Sequence, residues 1–168
     1  MMSYGPPVDL SFHHCSLDKI LSKEPRQGAL PVVRSEFGGL MSASLRLSNN
    51  RIQNLNLLPA VACRFLEYPE ALAWLDLSCN MLTDNPAELR FFPGLRLLYL
   101  HGNRLTDLQG LLAVLRDLPN LYGLTLFGNR LPEKYRSAVL RALPHLKSLD
   151  FCNVSLADRQ RAFHAEWH

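Results

Sequence analysis

Leu98-Tyr99-Leu100-His101-Gly102-Asn103-Arg104-Leu105 sets a histidine, a glycine and an asparagine side by side. Taken alone, His101-Gly102-Asn103 has the compact polar character of an active-site fragment. The same frame returns as LDLSCNML at Leu75 to Leu82, as LTLFGNRL at Leu124 to Leu131 and, less closely, as LRLSNNRI at Leu45 to Ile52. The asparagine persists in every copy and the histidine does not. What recurs serves the architecture, and what varies is free to meet a partner.

Self-similarity at a period of 20 to 50 residues is the mark of a stacked-repeat fold. Asn50, Asn80, Asn103 and Asn129 lie 30, 23 and 26 residues apart. Around them runs the template L-x-x-L-x-L-x-x-N-x-L. Its apolar slots are Ser42, Leu45, Leu47 and Ile52, then Leu72, Leu75, Leu77 and Leu82. Leu95, Leu98, Leu100 and Leu105 follow, and then Leu121, Leu124, Leu126 and Leu131. Only Ser42 departs from an aliphatic residue. In L-x-L the two leucines face one side of a short strand and the middle residue the other. One such strand cannot bury its leucines, but stacked copies share a continuous core. Past the strand the chain turns inward, where backbone groups lose water, and an asparagine amide can both donate to and accept from them. Asn50, Asn80, Asn103 and Asn129 are therefore expected to form an internal structural ladder.

The pattern resembles the leucine-rich repeat. That resemblance implies an α/β fold, a leucine-rich-repeat solenoid with a parallel concave sheet of about five strands and helices or turns on its convex side. The return segments fit this. Pro59 to Leu66 has a proline suited to a helix start. Leu108 to Leu118 and Glu133 to Leu143 have helical apolar spacing, and Asn85 to Phe92 is long enough for only a turn or two.

Stacked sheets need covered ends. The last unit, Leu146 to Phe151, keeps the apolar slots, but Val154 stands where the asparagine is due. The stretch from Tyr135 to Arg159, through Tyr135-Arg136, Leu143-Pro144, Leu149-Asp150 and Asp158-Arg159, resembles the C-terminal cap of leucine-rich proteins related to the SDS-twenty-two type of phosphatase regulator. Asp150 and Asp158 are thereby expected to serve the cap. Residues 1–41 show no repeat. Val8 to Phe12 alternates like a strand, and Ser16 is placed to cap a short helix from Leu17 to Ser22. The expected organisation is an N-terminal arm or cap at 1–41, leucine-rich repeats at 42–134, and a C-terminal cap and tail at 135–168.

The chain has 168 residues, 48% of them hydrophobic and 20% charged, with a formal charge of +3. This suits one domain with a sizeable core and falls well short of a polycationic nucleic-acid binder. No basic start followed by an apolar run marks a secretory signal, and no stretch is apolar enough to span a membrane. Cys15, Cys63, Cys79 and Cys152 stand singly, as reduced thiols in a cytoplasmic compartment do. His13 and His14 are adjacent and so diverge in a strand; His164 and His168 have i,i+4 spacing but no third ligand nearby. No phosphate loop or nucleophile motif appears. No catalytic residue, metal, cofactor or small-molecule substrate is expected.

The outward positions of the strands carry the functional expectation. Arg46, Asp76, Tyr99, Thr125 and Asp150 are the middle residues of L-x-L. Trp74 and Leu97 lie two positions before their middle residues, and His101 and Phe127 two positions after theirs. The core does not need these aromatics, so Arg46, Trp74, Asp76, Leu97, Tyr99, His101 and Phe127 are expected to form a protein-binding concave face. Arg46 is the only base in these rows, which argues against nucleic acid. The pieces PPVDLSF at Pro6 to Phe12 and KEPRQG at Lys23 to Gly28, with the repeats and the cap, resemble a family of small leucine-rich proteins of motile cilia. The repeat count and cap also resemble the leucine-rich light chains of axonemal dynein. The resemblance implies a non-catalytic adaptor, a structural subunit of an assembly such as the ciliary axoneme, with the N-terminal arm as a second docking element. The alternative is a leucine-rich subunit of a ribonucleoprotein or phosphatase-regulating complex.

Overall fold

A strand forms at every L-x-L of the repeat template. In the computed structural model, which describes residues 5–83 and 85–164, these are β2 (Ser44–Arg46), β3 (Trp74–Asp76), β4 (Leu97–Tyr99) and β5 (Gly123–Thr125). They join β1 (Val8–Asp9), β6 (Ser148–Leu149) and β7 (Cys152–Asn153) in one seven-stranded sheet, ordered as in the chain. The strands from β1 to β6 are parallel, and Leu45, Leu75, Leu98, Leu124 and Leu149 pair successively without offset. Each template slot thus becomes a column of leucines, and Leu45, Leu47, Leu75, Leu77, Leu98, Leu100 and Leu126 are wholly buried. Each buried leucine contributes about 1.5–3 kcal/mol, and only through its neighbours in the next coils. Ser42, the slot that breaks the pattern, is also buried, and its hydroxyl bonds the backbone of Ser44.

The return segments are α2 (Leu58–Phe65), a 3-10 turn at Pro69–Ala71, a 3-10 turn at Ala87–Phe91, α3 (Leu108–Leu115) and α4 (Tyr135–Ala142). Pro59 sits in the first turn of α2, and Asp107 caps α3 by accepting from the Gly110 amide at 2.9 Å. α3 ends before its apolar spacing does, because the turn that leads back to the sheet carries Leu118 into the core, and α4 begins two residues late, after a turn in which the Tyr135 amide donates to the Pro132 carbonyl.

The turn after each strand follows one rule. Asn49, Cys79, Gly102 and Gly128 all take left-handed φ values, between 54° and 69°, and each precedes a ladder asparagine. Asn103 shows what the turn achieves. Its Nδ2 donates to the Leu77 carbonyl of the previous coil at 3.0 Å and to its own coil at Leu100, 2.9 Å. Its Oδ1 accepts from the Leu82 amide at 3.0 Å. Asn80 and Asn129 repeat this pattern, and Asn50 reaches back to the Leu10 carbonyl at 2.9 Å.

That last bond amends the reading of residues 1–41 as repeat-free. Val8 and Leu10 are buried in register with Leu45 and Leu47. Phe12 holds the left-handed position with φ 59°, His13 stands in the asparagine slot, and Cys15 offers its amide to Asn50 as Ile52 does to Asn80. The arm begins as a degenerate coil, hidden in the sequence because His13 replaces the diagnostic asparagine. Helix α1 (Leu17–Ile20) then buries Leu17 and Ile20; it stops short of Ser22, and Ser16 makes no side-chain cap bond to it. The Ser16 hydroxyl instead serves the Asp18 carboxylate, the largest of the effects that hold that carboxyl below its usual range. The chain returns along the open side of β1, where the Arg26 amide donates to the Asp9 carbonyl at 2.7 Å.

The other end closes differently. β7 is antiparallel to β6 across the two-residue turn Asp150-Phe151, whose φ values of 56° and 61° are those of a type I′ hairpin. The reversal corrects the assignment of Phe151 to an inward slot, for its ring is 61% exposed. Helix α5 (Leu156–His164) then packs on α4. A capping box opens it: Ser155 Oγ accepts from the Asp158 amide at 3.1 Å, and Asp158 accepts from the Ser155 amide at 3.0 Å. Those bonds and Arg161 hold the Asp158 carboxyl far below the usual range. His168, spaced four residues from His164, lies outside the described residues. The sheet thus has seven strands where about five were expected, because each end adds a covering strand.

Candidate functional site

The concave face divides in two. Toward β1 it is polar. Arg46 lies 3.5 Å from Asp9 and 3.8 Å from Asp76 on the flanking strands. Asp76 also accepts from the Ser78 amide and hydroxyl, and Asp9 does the same with Ser11. The pairing of Arg46 with Asp76 was foreseeable from strand order, but the share taken by Asp9 depends on the hidden first coil.

Toward β7 the face is aromatic. Trp74 and Tyr99 meet edge to face with ring centroids 5.9 Å apart. His101 stacks on Phe127 at 4.6 Å with the planes 10° apart, and its Nδ1 lies 2.8 Å from the Thr125 hydroxyl. Tyr99 and Phe127 are linked through His101 and through Phe151, whose ring lies 5.4, 5.7 and 6.0 Å from Tyr99, His101 and Phe127. Such edge-to-face contacts are worth about 0.5–1.5 kcal/mol each beyond buried area. Leu97 lies over Gly123, where a Cβ would come within 2.4 Å of Leu97 Cδ2. Burial, with lesser effects from Asp76 and Tyr122, pushes the Tyr99 hydroxyl above its ordinary pKa, so it stays a neutral donor at physiological pH.

Trp74, Leu97, Tyr99, His101 and Phe127 are therefore brought together, while Arg46 and Asp76 form a separate polar network. Phe151 belongs with the aromatics and was missed. The signal lay in Val154: with no asparagine to turn the chain inward, the segment after Leu149 had to turn elsewhere. The turn is held by Asp150, which accepts from the Leu126 and Phe127 amides at 2.6 and 3.1 Å and from the Tyr135 hydroxyl at 2.6 Å. Burial and that bond raise the Tyr135 pKa beyond any physiological range. A bulky residue at left-handed φ costs about 1–2 kcal/mol, and such strain is commonly retained at functional positions. Among the described residues neither terminal segment closes over the patch, since Phe127 and Phe151 remain 42% and 61% exposed.

Among the described residues, no group of three or more His, Cys, Asp or Glu converges as a metal site, and no helix is long and apolar enough to cross a membrane. The four cysteines are free thiols.

No established family profile matches the chain. It is 43% identical over 160 residues to leucine-rich repeat-containing protein 51 of Macaca mulatta, covering 94% of this chain and 83% of that protein. It is 44% identical over 161 residues to the Bos taurus protein of the same name, with the same coverage. The chain belongs to the leucine-rich repeat-containing protein 51 family. Membership establishes the solenoid and a fold used for protein interaction. Among solved structures, a chain of the Drosophila melanogaster SNF/U2A′ complex superposes with a TM-score of 0.61 at 25% identity, covering 74% of this chain and 68% of that one. A chain of the Chaetomium Mex67:Mtr2 structure shares the fold with a TM-score of 0.52, at 22% identity and coverages of 66% and 77%.

Proposed function

We propose that the protein is a non-catalytic adaptor whose aromatic concave face docks another protein, as a cytoplasmic structural subunit of the ciliary axoneme. The observation that carries the docking reading is the five-ring cluster of Trp74, Tyr99, His101, Phe127 and Phe151, assembled from three strands and a strained hairpin. The solenoid core is complete without it, and solvent-facing aromatics gathered in one place are the usual anchors of an interface. The similarity to a chain of the SNF/U2A′ complex supports a protein partner. The ciliary setting is supported by the family resemblance alone. The N-terminal arm has its own work at the sheet edge, which makes it the weaker docking element.

The test is retention of the tagged protein in axonemes stripped of membrane, compared with the variant Trp74→Ala, Tyr99→Ser, Phe127→Ser. Wild type should be retained and the variant released, with far-UV circular dichroism and cooperative melting preserved. Absence of the wild type from axonemes overturns the ciliary placement. Equal retention of a folded variant overturns the concave docking.

A further inference from the structure

A second row of side chains runs beside the aromatic patch. The residue after each ladder asparagine is Arg51, Met81, Arg104 or Arg130. The amides of these four residues donate to Cys15, Ile52, Leu82 and Leu105 in the preceding coils at 2.9–3.0 Å, so the four positions are stacked along one rim of the sheet. Successive coils lie about 4.8 Å apart. All three arginines are exposed, and among the described residues no carboxylate pairs with any of them within 4.0 Å, but Arg51, two coils before Arg104, lines a separate pocket with Asp18, Asn54 and Leu57. Arg104 and Arg130 occupy adjacent coils, each three residues beyond an aromatic of the patch, His101 and Phe127. Like charges on neighbouring coils repel, so folding gives no account of the row.

The acids of the concave face are already engaged. Asp9 and Asp76 flank Arg46, and both oxygens of Asp150 accept bonds within the cap. One donor of the aromatic half, Trp74 Nε1, is buried without a hydrogen-bond partner. The aromatic half of the face thus offers apolar rings beside an unanswered donor and unpaired cations.

We infer that the occupant of the concave face is an acidic amphipathic helix of a partner protein, with apolar side chains on the Trp74–Phe151 cluster and carboxylates on the adjoining Arg104 and Arg130. This rests on the concave docking reading above. A helix presents an apolar stripe and a charged flank at i, i+3 and i+4, the geometry needed to meet both rows at once. A single-stranded nucleic acid would also find cations and aromatics, but it needs open ring faces for its bases. Here His101 is stacked on Phe127, and Tyr99 meets both Trp74 and Phe151 in T-shaped contacts.

The test is selection from a displayed library of helical peptides of random composition against the full chain, in parallel with the charge variant Arg104→Glu, Arg130→Glu. Wild type should enrich peptides combining Asp or Glu with Leu or aromatic residues. These peptides should bind the charge variant at least about tenfold more weakly and lose affinity with salt. No enrichment of acids, or equal binding to a folded charge variant, overturns the acidic-helix assignment and leaves concave docking standing. Peptides that bind the Trp74→Ala, Tyr99→Ser, Phe127→Ser variant as well as wild type overturn the concave reading itself. Oligouridine binding that requires the two arginines, measured by fluorescence anisotropy, replaces the helix with RNA.

Discussion

Replacing Asn103 with alanine removes the centre of the ladder without touching a leucine. The Leu82 amide loses the Oδ1 that it meets at 3.0 Å, in a site where Asn103 itself is only 5% exposed. An orphaned buried donor costs about 1–3 kcal/mol. The Leu77 and Leu100 carbonyls lose their Nδ2 donor as well; each has two lone pairs, so this adds less. The sum is about 3 kcal/mol, and in a domain of this size that lowers the melting temperature by about 6–12 °C. Asn120 is the control. It also bonds a carbonyl, Pro93 at 3.0 Å, but in an exposed site, so Asn120→Ala should stay within about 0.5 kcal/mol of wild type. Asn103→Asp sharpens the test, since it keeps the acceptor but turns a carboxylate toward two carbonyls; it should be worse than alanine at neutral pH. Differential scanning calorimetry or urea titration reads all three. Equal midpoints for Asn103→Ala and Asn120→Ala would refute the ladder as a source of stability.

Asp150→Ala should lower stability by about 1–3 kcal/mol, because the Leu126 and Phe127 amides and the Tyr135 hydroxyl lose their acceptor; chemical denaturation that matches wild type would contradict this. Phe151→Gly relieves about 1–2 kcal/mol of left-handed strain but loses three ring contacts, so it should lower the melting temperature only modestly, yet it should weaken axonemal retention by removing the most exposed ring of the patch. The Asp158 carboxyl has a depressed folded pKa, so its stabilisation is present above its unfolded value of about 4 and is lost as pH falls through the folded value. The melting-temperature gap between wild type and Asp158→Asn should therefore be widest near neutrality and close as pH drops below about 4; a gap constant with pH would reject the linkage. Truncation after Leu143 removes β6, β7 and α5 and bares the edge of β5, so it should aggregate on purification, and a monomeric, cooperatively melting product in size exclusion would show the cap to be dispensable.

The repeat was legible in the chain because its demands are local and periodic. Leucine at two-residue spacing, a tight turn and an asparagine amide are each fixed by a few neighbouring residues, and repetition multiplies a weak signal. Arg46 against Asp76, and Trp74 near Tyr99, followed as soon as the strands were laid side by side in register. Two things were decided only in three dimensions. At the start, His13 fills an asparagine slot, so Val8 to Cys15 shows itself as a coil only through Asn50 reaching back to Leu10. At the end, Asp150 anchors amides of another strand from 23 and 24 residues away, and the hairpin it holds carries Phe151 from a slot that reads as core onto the concave face. Periodicity reports which side of a strand a residue takes only while the strand continues, and at both ends of a solenoid the chain stops obeying its own repeat in order to cover its open edge.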